Sequence, residues 1–564
     1  MSETLEITTE QINDLPLLLG LVEEMGIRQA IDIQIRPHGH WQGISVGTVV
    51  SIWLCHLLME RDHRLVAVRD WAAARTQTLN ALLGVRLRDT DLTDDRLANA
   101  LTMLSGADDQ AAVDQALLAD WLRVYALPQQ TVRLDSTSVT VYQDANPPDG
   151  LIRHGVSKEH RPDLAQFKVM LASLDPLGLP LACHPVPGNR SDDLLYIPAY
   201  DAAMQARETR AVLVVGDNKM AALGTRAHIV RGGSAYLCAY RPSMATAQIA
   251  GWVDDALAHP KDWHELRDVN ERTGEIATLA VIAERERVQQ EGETAWTERV
   301  LVARSARAQA GLRRRRERML GRVAEQLAAL HRPPRQGRRV YRTAAALQAA
   351  VAELLRAACL EGVVWVQPEE HIRRDGSTRW AVGAFGVDLA AWRALVDRLG
   401  WQVYLTSTTP EQYAAPALVA AYRQQALHER GFARLKTRNL HIRPVYLSDE
   451  RRIAGLTWLL CLALRVLTLT EYRLRAALQQ RGEALAGLNP ASHSQATQRP
   501  TAERVITAFQ HLTRTVVLLP DVHYHHVTPL TPLQEHILTL LGLPADLYAR
   551  LASSASKPLI HLRE

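Results

Sequence analysis

The stretch that most restricts the fold is the apolar run at residues 453–469, IAGLTWLLCLALRVLTL. Its length approaches that of a membrane-spanning helix, but Arg465 interrupts it and a charged helical segment follows. We therefore predict that this run forms a helix in the core of a folded protein and that the chain has no membrane association.

Length and composition indicate a multidomain globular protein. At about 100 to 200 residues per domain, a chain of 564 residues is expected to form about three units. Apolar residues make up 47% of the chain, which excludes a mainly disordered protein. The net charge of +4 is small, so local basic patches would have to bind any polyanion. The 5 cysteines include no CxxC pair, which argues against a zinc ribbon and a disulfide framework and favours a reducing cytosol.

The pattern of the sequence changes at residues 131–142, TVRLDSTSVTVY, where β-branched residues alternate with polar ones and a strand is predicted. Before this point, apolar residues recur at helical spacing. After it, strands and helices mix, and strand character resumes at residues 401–408 beyond a long basic segment. The predicted organisation is an all-helical N-terminal domain (1–128), an α/β core in two parts (129–242 and 399–480), a basic insertion (243–398) and a C-terminal helical tail (481–564).

Three acidic residues lie at the edges of this predicted core. Asp135 lies in the strand RLDST, Asp217 ends the apolar run VLVVGD, and Glu429 lies in the segment AYRQQALHERGFARLKTR at 421–438. A carboxylate at the end of a buried strand is costly to bury alone, so a partner is expected. Either aspartate alone could be an ordinary turn or cap residue. Together, the three carboxylates are suited to hold two divalent cations at a phosphoryl-transfer site.

The segment around Glu429 predicts one amphipathic helix. At 100° per residue, an acid, a base and aromatic side chains share one face. A core-facing stripe would be apolar, and a solvated one has little need of aromatic residues, although a simple surface pairing remains an alternative. The residues on this face are Tyr422, Gln425, Glu429, Phe432 and Lys436.

The predicted insertion concentrates positive charge at residues 312–319, 332–342 and 371–376. Such runs are often solvated faces, but this much arginine with little acid nearby favours contact with nucleic acid. Tryptophans in the same region could stack on an unpaired base or belong to the core: Trp252, Trp263, Trp296, Trp365 and Trp380.

The order of these features resembles the DDE transposases of bacterial insertion sequences, specifically the IS-four-like group with its YREK signature. Tyr422, Glu429 and Lys436 match that signature in spacing, while Gln425 stands where the family has arginine. Further stretches similar to the family are HGVSKEHRPDLAQ (154–166), GNRSDD (188–193), LHIRPVY (440–446) and ISVGTVVSIWLCHLLM (44–59).

The resemblance implies an RNase H-like catalytic core in which Asp135, Asp217 and Glu429 bind two Mg²⁺ or Mn²⁺ ions. It implies cleavage at the ends of the element and strand transfer into target DNA. Tyr422 and Lys436 are expected to contact DNA, and Arg423 or Arg430 could replace the arginine missing at position 425, although neither lies on the same face of the predicted helix.

The implied partners are double-stranded DNA, as terminal inverted repeats and target, and a second copy of the chain in a homodimer. From their position and helical character, the N-terminal helices are expected to bind the terminal repeats or to form the dimer. The implied location is the bacterial cytoplasm, at the nucleoid when bound to DNA. Two alternatives remain open: a DNA-binding regulator of transposase origin that no longer cuts, and a structure-specific nuclease.

Overall fold

The structure is a computed structural model. It describes residues 6–37, 39–144, 149–157, 159, 161–205, 207, 210–241, 246–269, 274–331, 340–373, 376–489, 492, 494–518 and 523–552. The chain forms two compact units, Met1–Tyr236 together with Gln424–Glu564, and Leu237–Arg423. The fold is mixed α/β.

The helices in chain order are α1 (Leu15–Glu24), α2 (Ile27–Gln34), α3 (Val46–Glu60), α4 (Leu65–Ala73), α5 (Thr76–Leu83), α6 (Asp94–Met103), α7 (Ala107–Val124), α8 (Tyr196–Gln205), α9 (Leu223–Arg231), α10 (Thr246–Ala258), α11 (Ala306–His331), α12 (Ala344–Ala358), α13 (Leu389–Asp397), α14 (Ala415–Arg423), α15 (Ala426–Ala433), α16 (Glu450–Arg481), α17 (Ala502–Thr507) and α18 (Pro532–Leu541).

The strands in chain order are β1 (Glu6–Gln11), β2 (Thr131–Thr140), β3 (Gln166–Asp175), β4 (Leu179–Pro187), β5 (Leu213–Gly216), β6 (Ala235–Ala239), β7 (His264–Val269), β8 (Ile276–Glu291), β9 (Thr294–Ser305), β10 (Val364–Ile372), β11 (Thr378–Val387), β12 (Trp401–Thr406), β13 (Thr513–Leu518) and β14 (His523–Val527).

The main sheet of the first unit has the strand order β4-β3-β2-β5, followed by the start of β6. Strands β2, β3 and β4 form an antiparallel meander, and β5 lies parallel to β2. Every residue of β3 and of β5 is buried, as expected for strands covered on both faces. The sheet is therefore mixed, with β2 between an antiparallel and a parallel neighbour.

Helix α16 is the core element that the apolar run predicts. It is long and apolar enough to cross a membrane, but 94% of its apolar window is buried inside the protein. Its one charged residue in this run, Arg465, pairs with Asp114 of α7 and donates to the carbonyl oxygens of Pro180 (2.9 Å) and Leu181 (3.0 Å) on β4. The buried guanidinium thus has partners on two neighbouring elements, which confirms the prediction of a core helix.

The N-terminal segment is not all-helical, and that prediction is wrong at its first element. Strand β1 pairs in antiparallel register with β13, which also pairs with β14, so both ends of the chain share a three-stranded sheet. The C-terminal tail likewise contains two strands besides its helices. Strand β1 has only six residues, and its hydrogen-bonding partner lies some 500 residues away, so no local pattern could reveal the pairing.

The second unit contains the strands β12-β9-β8-β7, with the end of β6 paired to β12. It also contains the β10–β11 hairpin, whose buried side packs with α11 and α12 around residues that include Val323, Leu327 and Leu347. The arginine-rich helix α11 therefore buries an apolar stripe and exposes most of its basic residues. The unit extends beyond the predicted insertion at 243–398, because β12 pairs within it.

Candidate active site

Asp135 and Asp217 lie side by side on neighbouring strands. In the parallel pair β2–β5, Leu134 is the register partner of Gly216, and each aspartate is the next residue along its strand. Asp217 follows directly after the end of β5, and both aspartates are half-buried. The two carboxylates that the sequence placed at strand edges are therefore brought to one edge of the core.

A buried tyrosine hydrogen-bonds to one of the two aspartates. The hydroxyl of Tyr196, the first residue of α8, donates a 2.6 Å hydrogen bond to Oδ1 of Asp217. Burial, and then the negative charges of Asp217 and Asp135, raise the pKa of the Tyr196 hydroxyl well above its usual value. The phenol therefore stays protonated and acts as a hydrogen-bond donor at this site.

The helix that carries Glu429 packs on the face of the sheet to which Asp135 belongs. Opposed residues of an antiparallel pair share one face, so Leu171 of β3 shares the face of Asp135, and Ser173 shares the face of Arg133. Helix α15 covers these positions: Ser173 Oγ lies 2.6 Å from His428 Nδ1, and Gly431 lies above Leu171.

His428 fixes this packing. Its ring is 1% exposed and makes an edge-on contact with Phe432 at 4.8 Å between centroids. Burial, and then the charge of Arg133, lower the pKa of His428 to about 3. The imidazole is thus neutral at ordinary pH, and the next residue, Glu429, is exposed to solvent.

The predicted continuous helix over 421–438 is wrong. Helix α14 ends at Arg423, α15 begins at Ala426, and Arg434–Arg438 form a π-helical turn. Because the helix is broken and its last turn is wound differently, the face calculated for an ideal helix does not apply. Gln425 lies at the N-terminus of α15, where its carbonyl oxygen accepts the amide of Glu429 at 3.0 Å.

Two of the four predicted DNA-contacting residues belong to the second unit. The ring of Tyr422 packs on Tyr404 of β12 at 4.6 Å between centroids. Burial raises the pKa of the Tyr404 hydroxyl, and the nearby charge of Arg423 partly opposes that rise. The structure thus assigns Tyr422 and Arg423 to a different unit from Glu429 and Lys436, and does not gather the signature residues on one helix.

Lys436 is anchored by an acid from the stretch HGVSKEHRPDLAQ. Its Nζ atom lies 2.9 Å from Oε1 of Glu159. The other oxygen of Glu159 pairs with Arg443 and accepts a 2.9 Å hydrogen bond from Thr140 at the end of β2. Burial opposes ionisation of Glu159, but its hydrogen bonds and these cations outweigh burial and lower its pKa. The carboxylate thus joins three separate segments.

Arg430 is engaged by an acid of α16. It donates to both oxygens of Glu471, at 2.8 and 2.7 Å. Arg434 and Arg475 each lie 2.6 Å from the same buried carboxylate, and Arg434 also pairs with Glu503. This network fastens α15 and the π-helical turn to α16, so a phosphate at Arg430 would compete with Glu471.

Two of the three predicted metal ligands are suitably placed for a hard divalent cation. Asp135 and Asp217 supply neighbouring carboxylate oxygens, the ligand type that Mg²⁺ and Mn²⁺ prefer. Within the described ranges, no group of three or more His, Cys, Asp or Glu side chains is close enough to hold a metal ion. The two aspartates are therefore suited to bind a divalent metal ion. Glu429 is not close enough to them to act as a third ligand.

Residues 127–466, which include all three acids and α15, match the family described as transposase DDE domain. The chain belongs to this transposase family. Residues 7–116 match a domain of unknown function, DUF4277. Members of this family generally use divalent metal ions.

No curated protein matches the sequence. Among solved structures, the piggyBac transposase synaptic complex with hairpin DNA aligns with 88% of this DDE transposase and 79% of its own chain, at 8% identity and a TM-score of 0.34. At this TM-score the likeness carries no argument about the fold or about individual residues.

Sequence reasoning missed three residues at the site of this DDE transposase: Tyr196, Glu159 and His428. All three lie in or beside stretches singled out for other reasons, since Tyr196 follows GNRSDD and His428 precedes Glu429. Their hydrogen-bond and ion-pair partners named above lie 19 to 284 positions away. Only the tertiary structure shows what they contact.

Proposed function

We propose that this DDE transposase cleaves DNA at the ends of an insertion sequence and joins the freed ends to target DNA. The observation that carries the proposal is the adjacency of Asp135 and Asp217 on paired parallel strands, on a sheet whose Asp135-bearing face is covered by the helix of Glu429. The strand order third-second-first-fourth, with only the fourth parallel to the first, further supports an RNase H-like core.

In the proposed reaction, water attacks a phosphodiester at the transposon end, which leaves a 5′ phosphate on one side of the cut and a 3′ hydroxyl on the other. That 3′ hydroxyl then attacks a phosphodiester of the target, becomes joined to its phosphorus and displaces the target strand's 3′ oxygen as a new 3′ hydroxyl. Asp135, Asp217 and Glu429 are the proposed ligands for two Mg²⁺ or Mn²⁺ ions. Such ions would activate the attacking oxygen and stabilise the leaving one. Glu429 is exposed on α15 and is therefore accessible to a metal ion and to DNA.

Several features of the chain favour DNA as the substrate. We propose that Lys436, Tyr422, Arg423 and Arg430 contact DNA, and that the exposed arginines of α11 add a basic surface in the second unit. The helices before residue 128 are proposed to bind the terminal inverted repeats. We further propose a homodimer that acts on paired ends, in the bacterial cytoplasm and at the nucleoid.

The test uses the full-length protein, Mg²⁺ and a duplex that carries the ends of the element. Glu429→Gln and Asp135→Asn should each abolish cleavage while leaving DNA binding within about twofold. Glu535→Gln is the matched control, because Glu535 is an exposed glutamate on α18 of the same unit. Undiminished cleavage by Glu429→Gln would overturn the assignment of this residue.

The same assay separates the two alternatives. A structure-specific nuclease would cut the duplex in a manner dependent on Asp135 but yield no joined product. A regulator that no longer cuts would bind the ends and show no cleavage with either Mg²⁺ or Mn²⁺. Products in which the 3′ end is joined to a second duplex are the outcome expected of a transposase.

A further inference from the structure

We infer that Tyr196 is a positioning residue that orients the Asp217 carboxylate for a divalent cation. This inference rests on the proposed function and assigns a role to a side chain outside the three acids. Tyr196 is 2% exposed, so it is not a group that DNA or solvent could contact directly.

A glycine before Asp217 leaves room for Tyr196 beside the end of β5. A Cβ atom at Gly216, the residue before Asp217, would lie 3.1 Å from Cε1 of Tyr196 and 2.6 Å from Sδ of Met220. Any side chain at this position would therefore crowd Met220 and the ring of Tyr196. The glycine allows the phenol ring to pack against the strand end and its hydroxyl to reach the next residue.

Two donors hold the same oxygen of Asp217. Oδ1 accepts the Tyr196 hydroxyl at 2.6 Å and the backbone amide of Lys219 at 2.8 Å. Among the described residues, none donates to the second oxygen, Oδ2. With Oδ1 occupied on two sides, rotation of the carboxylate is restricted, and Oδ2 is the oxygen presented to a ligand.

The surrounding loop holds this arrangement in place. Lys168 of β3 lies 2.6 Å from Oδ1 of Asp192, and Lys219 Nζ lies 3.8 Å from Asp193, so the stretch before α8 is tied both to the sheet and to the turn after Asp217. A hydrogen-bond partner that orients a metal ligand typically contributes 10- to 100-fold to metal affinity. Tyr196 occupies that position relative to Asp217.

The experiment compares Tyr196→Phe with Tyr200→Phe in the full-length protein. Tyr200 is the matched control, because it lies one turn further along α8, is equally buried, and donates its hydroxyl to Ser234 at 2.9 Å instead of to an aspartate. Mn²⁺ binding is measured by calorimetric titration, and the rise in melting temperature on addition of Mn²⁺ is a second readout. Binding to duplex DNA without metal is measured in parallel.

The expected result is a dissociation constant for Mn²⁺ about 10- to 100-fold higher in Tyr196→Phe, with Tyr200→Phe like the wild type and metal-free DNA binding unchanged. Equal Mn²⁺ affinity in the two variants would overturn the role of Tyr196 and leave the proposed function intact. If wild-type protein shows no Mn²⁺ binding that Asp135→Asn removes, the proposed metal site fails, and the inference fails with it.

Discussion

Lys436 and Glu159, 277 positions apart in the chain, form an ion pair with 2.9 Å between Nζ and Oε1. Glu159 also pairs with Arg443, so one carboxylate neutralises two cations beside the end of β2. Because both pairs are partly buried, they orient Lys436 more firmly than an exposed pair would.

This pair leads to a prediction about binding to DNA. Lys436→Met should lower the slope of log affinity against log salt concentration by about 1, because one phosphate contact is lost. Glu159→Gln should tighten binding and steepen that slope, since Lys436 and Arg443 then lack their neutralising partner. Lys436→Arg, which keeps the charge, is the control. An unchanged slope in Lys436→Met would show that this lysine does not contact a phosphate.

Two glycines of the core helices should respond oppositely to alanine. A Cβ atom at Gly431 would meet Leu171 and Leu464 at 3.9 Å, which is ordinary contact, so Gly431→Ala should stabilise the protein by up to about 1 kcal/mol through helix propensity. At Gly455 the added atom would lie 2.1 Å from the carbonyl oxygen of Leu101, and Gly455→Ala should destabilise by about 1 to 3 kcal/mol. Denaturant titration of both variants measures the difference.

The same pair tests whether the active site needs the glycine on α15. If Gly431→Ala is stable but no longer cleaves DNA, then a bound ligand approaches this position closely. Retained cleavage would show that substrate does not require a glycine at this position.

We expect the buried, neutral His428 to make the stability of the folded protein depend on pH. The pKa of this buried imidazole is about 3 in the folded protein, below its ordinary value of 6.5. Between these values the unfolded chain binds one more proton at this position than the folded chain. The contribution of His428 to the free energy of unfolding is therefore fully present above about pH 6.5 and decreases as the pH falls. The contribution of this one group is about 1.4 kcal/mol per pH unit.

The measurement is the free energy of unfolding between pH 7 and pH 5 for the wild type and His428→Gln. On acidification, the free energy of unfolding of the variant should fall less steeply than that of the wild type, by about 1.4 kcal/mol per pH unit. His536→Gln is the control, since His536 is partly exposed and pairs with Glu483. An identical slope in His428→Gln and the wild type would contradict a buried neutral imidazole.

Local patterns were sufficient to predict most of the elements that carry the acids. The alternation around Asp135 predicted β2, the apolar run before Asp217 predicted β5, and the run at 453–469 predicted the middle of α16. These patterns succeed because burial on one or both faces leaves a periodic trace in neighbouring residues.

The helical structure around Glu429 could not be predicted from local patterns. Residues 421–438 have helical composition throughout, yet the helix breaks between Arg423 and Ala426 and ends in a π-helical turn. The break coincides with the division between the two units, and the π-helical turn is held by Glu159 and Glu471, which lie elsewhere in the chain. Intrinsic preference is a weak determinant when distant partners hold a segment.

The sequence by itself determined the kinds of residues that can bind a cation, their order along the chain and the family to which they belong, because composition and spacing are local properties. Only the tertiary structure decided that Asp135 lies next to Asp217, that Tyr196 holds one oxygen of Asp217, and that Glu429 stays exposed on a separate helix. Those relations depend on strand register and on contacts between segments far apart in the chain, for which the sequence carries no local signal.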